Sequence, residues 1–189
     1  MTTVQPNPNV PVENLAIGTI IEVDGTRIVA ELEPRIDELS RIYGGDTYSI
    51  GQFGSIVKVH FGRRTIFAFV SRLRMKAEFE HERGMVSDAE SDERVIEADL
   101  FGEGEWLATQ EGWKLKFQRG VATYPLPQQA IYLTPKRELR FIHGRGDGPS
   151  VHLGEHVGAG GTKCFADLNE LLGKHTAVLG SRGTGKCDF

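Results

Sequence analysis

The chain has 189 residues, 39% hydrophobic and 25% charged, with a formal net charge of −4, values ordinary for a globular protein with one good core or two small ones. No apolar run approaches the ~18–20 residues of a membrane-spanning helix, and the opening MTTVQPNPNVPVEN lacks the positive and apolar regions of a secretory signal. The two cysteines, Cys164 and Cys187, have no metal-type spacing, so a reducing, cytoplasmic compartment is expected.

Charge is distributed in blocks. Residues 58–76 carry six Lys/Arg and no acid; residues 76–111 carry twelve Asp/Glu against three Lys/Arg; residues 112–189 carry eleven Lys/Arg and six acids. The overall balance does not argue for nucleic-acid binding, but a local face could serve it.

In chain order, residues 1–14 form a polar, proline-spaced lead-in, and residues 15–145 carry the marks of a β-barrel. LAIGTIIEV (15–23) and TRIVAELE (26–33) are β-branched runs around Asp24-Gly25, a hairpin signal. PRIDELSRIY (34–43) is led by proline and spaces Ile36, Leu39 and Tyr43 at three and four, predicting a short helix ended by Gly44-Gly45. FGSIVKVHF (53–61) and TIFAFVSRL (65–73) predict a second hairpin, with Ile56 and Lys58 on one face of the first strand and Val57 and Val59 on the other. Residues 76–93 predict an exposed acidic connection. ERVIEADLFGE (93–103), GWKLKFQRG (112–120), QAIYLT (129–134) and ELRFIHG (138–144) predict further strands, interrupted at YPLP (124–127), where each proline lacks an N–H. Short strands between glycine turns predict a small barrel.

The pattern changes after GRGDGPS (144–150). VHLGEHV (151–157) predicts a strand. His152 and His156 flank a glycine within it rather than sharing a helix face, so no metal site is expected there. DLNELLGK (167–174) predicts a short helix, with Asp167 as its cap and Glu170 completing a capping-box pattern. HTAVLG (175–180) predicts a strand running into GSRGTGKCDF. Residues 150–189 therefore predict the start of an α/β ATPase core.

The glycine run has the spacing of a phosphate-binding loop. Gly180, Gly183 and Gly185 let backbone N–H groups converge on phosphate oxygens, with Ser181, Arg182 and Thr184 between them, and Lys186 supplies the charge. The candidate nucleotide site is thus Gly180 to Cys187. Cys187 stands at the Mg²⁺-ligand position, where a thiol is a soft ligand for a hard ion. Three accounts of Cys187 stand side by side: a natural substitution with water replacing the hydroxyl, a change that disables the site, or a chain that runs on past Phe189 into a helix.

DLNELLGKHTAVLGSRGTGK resembles the segment that opens the ATPase domain of HerA-type proteins, ring-forming DNA translocases of the HerA–FtsK group. GTIIEVDGTRIVAEL, YSIGQFGSIVKV and FQRGVATYPLPQQAIYLT resemble that family's N-terminal HAS barrel. The likeness covers most of residues 15–187 and departs from the family at Arg182, where threonine is usual, and at Cys187. It implies a mainly β fold followed by a truncated RecA-like start, ATP and Mg²⁺ as cofactors, a hexameric ring of identical subunits, and DNA as the translocated substrate. It further implies a nuclease or sirtuin-like effector docked on the barrel, in the setting of anti-phage defence. The groups that complete hydrolysis lie beyond a first phosphate loop, so no catalytic residue is expected within residues 1–189 and these alone should not hydrolyse ATP.

A reading from another class makes the chain a stand-alone barrel that binds proteins or single-stranded nucleic acid, without ATPase activity. Its candidate surface is Arg63, Arg64, Arg72, Arg74 and Lys76 interleaved with Phe61, Phe67 and Phe69. Alternation places Phe67 and Phe69 together on one strand face, which favours packing over base contact. Trp106 and Trp113 bracket a polar turn and fit either a core or an interface.

Overall fold

A computed structural model describes residues 7–34, 39–86, 92–110, 112–146, 148–156 and 161–175. The main sheet follows the order β2-β1-β9-β5-β6-β7-β8, and β2 also pairs with β7. That last pairing closes a six-stranded antiparallel barrel of β1 (Ala16–Asp24), β2 (Arg27–Leu32), β7 (Arg94–Thr109), β6 (Arg64–Met75), β5 (Ile56–Phe61) and β9 (Ala130–Leu133). Closure removes the free edges that an open sheet would expose.

The interior follows the period of two that a strand imposes. Ile28, Ala30 and Leu32 of β2, Val57 and Val59 of β5, Ile66, Ala68 and Val70 of β6, Ile96, Ala98 and Leu100 of β7, and Ile131 and Leu133 of β9 form one buried cluster. Register shifts in β1 and β6 bend the strands round the circumference. At Gly18 the chains approach so closely that a Cβ would sit 2.1 Å from the carbonyl oxygen of Glu31, so only glycine fits.

The predicted strands at 15–33, 53–73, 93–103, 112–120 and 129–134 are present, and residues 121–127, which include YPLP, lie in no strand; Gln128 and Gln129 bond to Ile20 of β1 just ahead of β9. Three expectations are corrected. Ser40–Tyr43, expected at the end of a helix, is strand β3; it pairs with β4 (Asp46–Ser49) across Gly44-Gly45. Both glycines have positive φ, +61° and +85°, so the pair makes a hairpin turn rather than a helix stop. Residues 35–38 lie outside the described residues. The acidic connection opens with helix α1 (Lys76–Glu82), whose Phe79 is buried against Val29 and Val95 on the barrel wall. ELRFIHG, expected as a strand, lies in helix α2 (Lys136–His143): the Pro135 carbonyl accepts from the N–H groups of Glu138 and Leu139, and Leu139 and Ile142, three apart, both pack into the second cluster.

Strand β7 outgrows the barrel. Its second half carries β8 (Gly112–Arg119) as a flap outside the closed circuit. Ile56, Phe67, Trp106, Leu115 and Leu139 fill the space between flap, barrel wall and α2, joined by Phe69, Phe101 and Trp113. Both tryptophans therefore belong to this satellite core, as do Phe67 and Phe69. Beyond α2 an antiparallel hairpin follows, β10 (Ser150–His156) with β11 (Thr162–Asp167), the second strand being absent from the sequence expectation. Helix α3 (Leu168–Leu172) is capped by Asp167, whose Oδ1 accepts from the N–H groups of Asn169 at 2.8 Å and Glu170 at 3.1 Å. The Glu170 carboxylate pairs forward with Lys174.

Candidate functional site

The sequence-predicted nucleotide site, Gly180 to Cys187, and all but the first residue of the strand expected at 175–180 lie outside the described residues. The sites that the structure builds cluster instead round α2, between the barrel, the β8 flap and the β10–β11 hairpin.

The basic run 58–76 is largely neutralised within the molecule. Arg64 meets Glu103 at 2.7 Å; Arg74 meets Glu97 at 2.6 Å and also Glu82; Lys76 meets Glu93 at 2.7 Å and Glu31 at 3.0 Å. Phe67 is fully buried. The buried Glu103 carboxylate also accepts from Gln118 and from the backbone N–H groups of Ala122 and Thr123, pinning the irregular stretch after β8 to the barrel. Around α1, the Arg83 guanidinium stacks over Phe79 and pairs with Glu22, holding that carboxyl below its ordinary range.

Helix α2 is fixed to the barrel by a buried ion pair. Lys58 projects from the outer face of β5, as alternation predicts, and its Nζ donates to both Glu138 oxygens at 2.8 and 2.6 Å. The side chains are 4% and 2% exposed. Burial pushes the Lys58 ammonium down and the Glu138 carboxyl up from their ordinary values, against the attraction each offers the other. At the start of α2 the Lys136 N–H donates to the Tyr48 hydroxyl at 3.2 Å and its Nζ to Asp46 at 2.6 Å, tying the β3–β4 hairpin to the helix.

With its inner face so anchored, α2 turns a basic face to the hairpin. Lys136, Arg137 and Arg140 of the helix, Arg145 just beyond it, and Lys163 of β11 line a groove of about 700 Å³ whose wall includes Phe165. Residues three and four apart share a helix face, so Lys136, Arg137 and Arg140 lie side by side. Asp46 is the one carboxylate among the lining residues, and Lys136 holds it. The ring of His152 rests 5.3 Å from that of Phe165.

A second concavity, of about 300 Å³, opens between flap and helix and is lined by Phe69, Phe101, Phe117, Arg119, Ile142 and His143. Phe69 stacks on Phe101 at 3.9 Å, and His143 stacks on His156 of the hairpin at 5.2 Å. Burial lowers the affinity of both imidazoles for a proton. His60 on the barrel wall, packed edge-on against Tyr132, is pushed down to about 4.

Among the described residues no group of three His, Cys, Asp or Glu is placed to hold a metal ion, and no helix is long and apolar enough to cross a membrane. The Cys164 thiol is pushed up by burial, away from the thiolate form that a nucleophile needs. The groove cations escaped the sequence reading because ELRFIHG alternates like a strand. The available signal was Pro135 followed by KREL, a helix start that places Arg137 and Arg140 on one face. No protein-family model matches the chain, and no curated protein matches it.

Proposed function

We propose that the chain is the collar and assembly region of a ring-forming, ATP-driven DNA translocase of HerA type, with an effector of the nuclease or sirtuin-like kind docked on the barrel. One observation carries the reading: a closed six-stranded barrel is followed by a hairpin and a capped helix that deliver the chain to HTAVLGSRGTGK. In this reading Lys186 and the backbone of Gly183 and Gly185 hold nucleotide phosphates, and bound ATP with Mg²⁺ supplies the driving hydrolysis once the remaining groups are present. The barrel, lacking free edges, is suited to serve as a rigid platform.

The coding sequence downstream of codon 189 gives the simplest test. An apolar strand ending in Asp or Glu is expected within about 150 residues, and its absence removes the motor. Native mass spectrometry of the purified chain gives the second, with a ring of identical subunits expected. A strictly monomeric species at micromolar concentration counts against a collar.

A further inference from the structure

We infer that the groove between α2 and the β10–β11 hairpin binds a single strand of nucleic acid, held by its phosphates and by a base stacked on Phe165. Three observations converge. Five cations line the groove against one carboxylate, and Lys136 already holds that one. Arg137, Arg140, Arg145 and Lys163 make no ion pair among the described residues, whereas Arg64, Arg74 and Lys76 on the barrel wall each meet an acid. Glu155 stands opposite Lys163 across the hairpin and 3.2 Å from where a Cβ on Gly161 would lie, yet makes no ion pair with Lys163.

Shape and chemistry narrow the ligand. A groove of about 700 Å³ exceeds the needs of a single anion and suits a chain of charges. Three of the cations are arginines, whose planar forks match phosphate oxygens two at a time. An acidic peptide would satisfy the charges but has no use for the aromatic ring beside them, whereas cations flanking an aromatic face are how single strands are gripped without regard to sequence. The basic run 58–76 is less suited to this, since most of its charges are answered internally and Phe67 is buried.

Fluorescence anisotropy of a labelled oligothymidine of about 12 nucleotides, titrated with the whole chain at about 50 and 200 mM salt, tests the inference. Neutralising three or four phosphates predicts a log–log salt slope of about −2 to −3. Arg140→Glu with Lys163→Glu, both exposed positions, should weaken binding at least tenfold with an unchanged circular dichroism spectrum. Phe165→Ala should weaken it about fivefold or more with an unchanged salt slope. Arg63→Glu, on the β5–β6 turn, should stay within twofold. No binding at the lower salt overturns the inference, as does undiminished affinity in the double variant. Displacement of the strand by polyglutamate or tripolyphosphate as effectively as by unlabelled oligonucleotide also overturns it. Loss of the motor reading with these results intact would leave a nucleic-acid-binding barrel.

Discussion

On the barrel wall Arg74 lies between Glu97 and Glu82, and Lys58 is closed in by Glu138; across α2 the side chains of Arg137, Arg140, Arg145 and Lys163 face a groove without carboxylates of their own. The same residue types thus serve opposite ends. A cation taken out of water destabilises the fold unless an acid meets it, so wall cations and wall acids form a closed set. A cation left in a groove costs little and keeps its charge available to an outside anion. Helix α2 joins the two regimes: Glu138 on its inner side satisfies Lys58, and Arg137, the preceding residue, lines the groove.

The contrast breaks first at the buried pair. Lys58→Ala leaves the Glu138 carboxylate buried without its partner and should cost about 3–5 kcal/mol in urea unfolding. Replacing both, Lys58→Met with Glu138→Leu, should recover most of that, because two apolar side chains of similar volume need no counter-charge. Equal losses in the single and double variants would mean that α2 is held by Leu139 and Ile142 alone. The pair would then not be what anchors the groove.

Acid sharpens the same contrast with a smaller effect. His60 is pushed down to about 4 from 6.5, chiefly by burial, with the nearby Lys58 charge adding to it. A histidine whose folded-state pKa is depressed binds fewer protons folded than unfolded. Stability should therefore fall as pH drops from about 6.5 towards 4, by roughly 1–3 kcal/mol from His60. His143 and His156 are lowered in the same direction and contribute with the same sign. Urea midpoints at pH 7.5 and 4.5 would read this, and His60→Gln should flatten the acid limb. A variant as acid-sensitive as the parent would place the effect on the two stacked histidines beside the flap.

The strands of the barrel were legible because its interior alternates so regularly. Val57 and Val59 against Ile56 and Lys58 can be assigned to faces without any structure, and the Asp24-Gly25 signal and the short break between the runs 53–61 and 65–73 mark two of its hairpins. What sequence could not supply was partnership. Nothing local says that Lys58 will meet a residue eighty positions later, or that the cations of 58–76 will be answered from β7, α1 and β2. Local patterns also misled where two periods fit the same letters. Ser40–Tyr43 satisfied a helical spacing until Gly44-Gly45 turned it into a hairpin, and ELRFIHG alternated like a strand while Pro135 started a helix. The second of these errors hid the groove, since its cations converge only when residues 136–140 are wound into a turn. The nucleotide loop was legible as a motif, and its residues lie outside those described.

The smallest expected effect is also the most discriminating between wall and groove. Exposed substitutions away from packing and pairing change stability by less than about 0.5 kcal/mol, so Arg140→Glu with Lys163→Glu should leave the urea midpoint nearly unmoved. Arg74→Ala should behave differently, since it leaves Glu97, whose side chain is 10% exposed and lies 2.6 Å from the lost guanidinium, with only the more distant Arg27 at 3.7 Å, and should lower stability by about 1–3 kcal/mol. Removing cations from the two regions would then separate two functions of one residue type, folding on the wall and an outside anion in the groove. A groove variant that unfolded as readily as Arg74→Ala would show its cations to be structural as well.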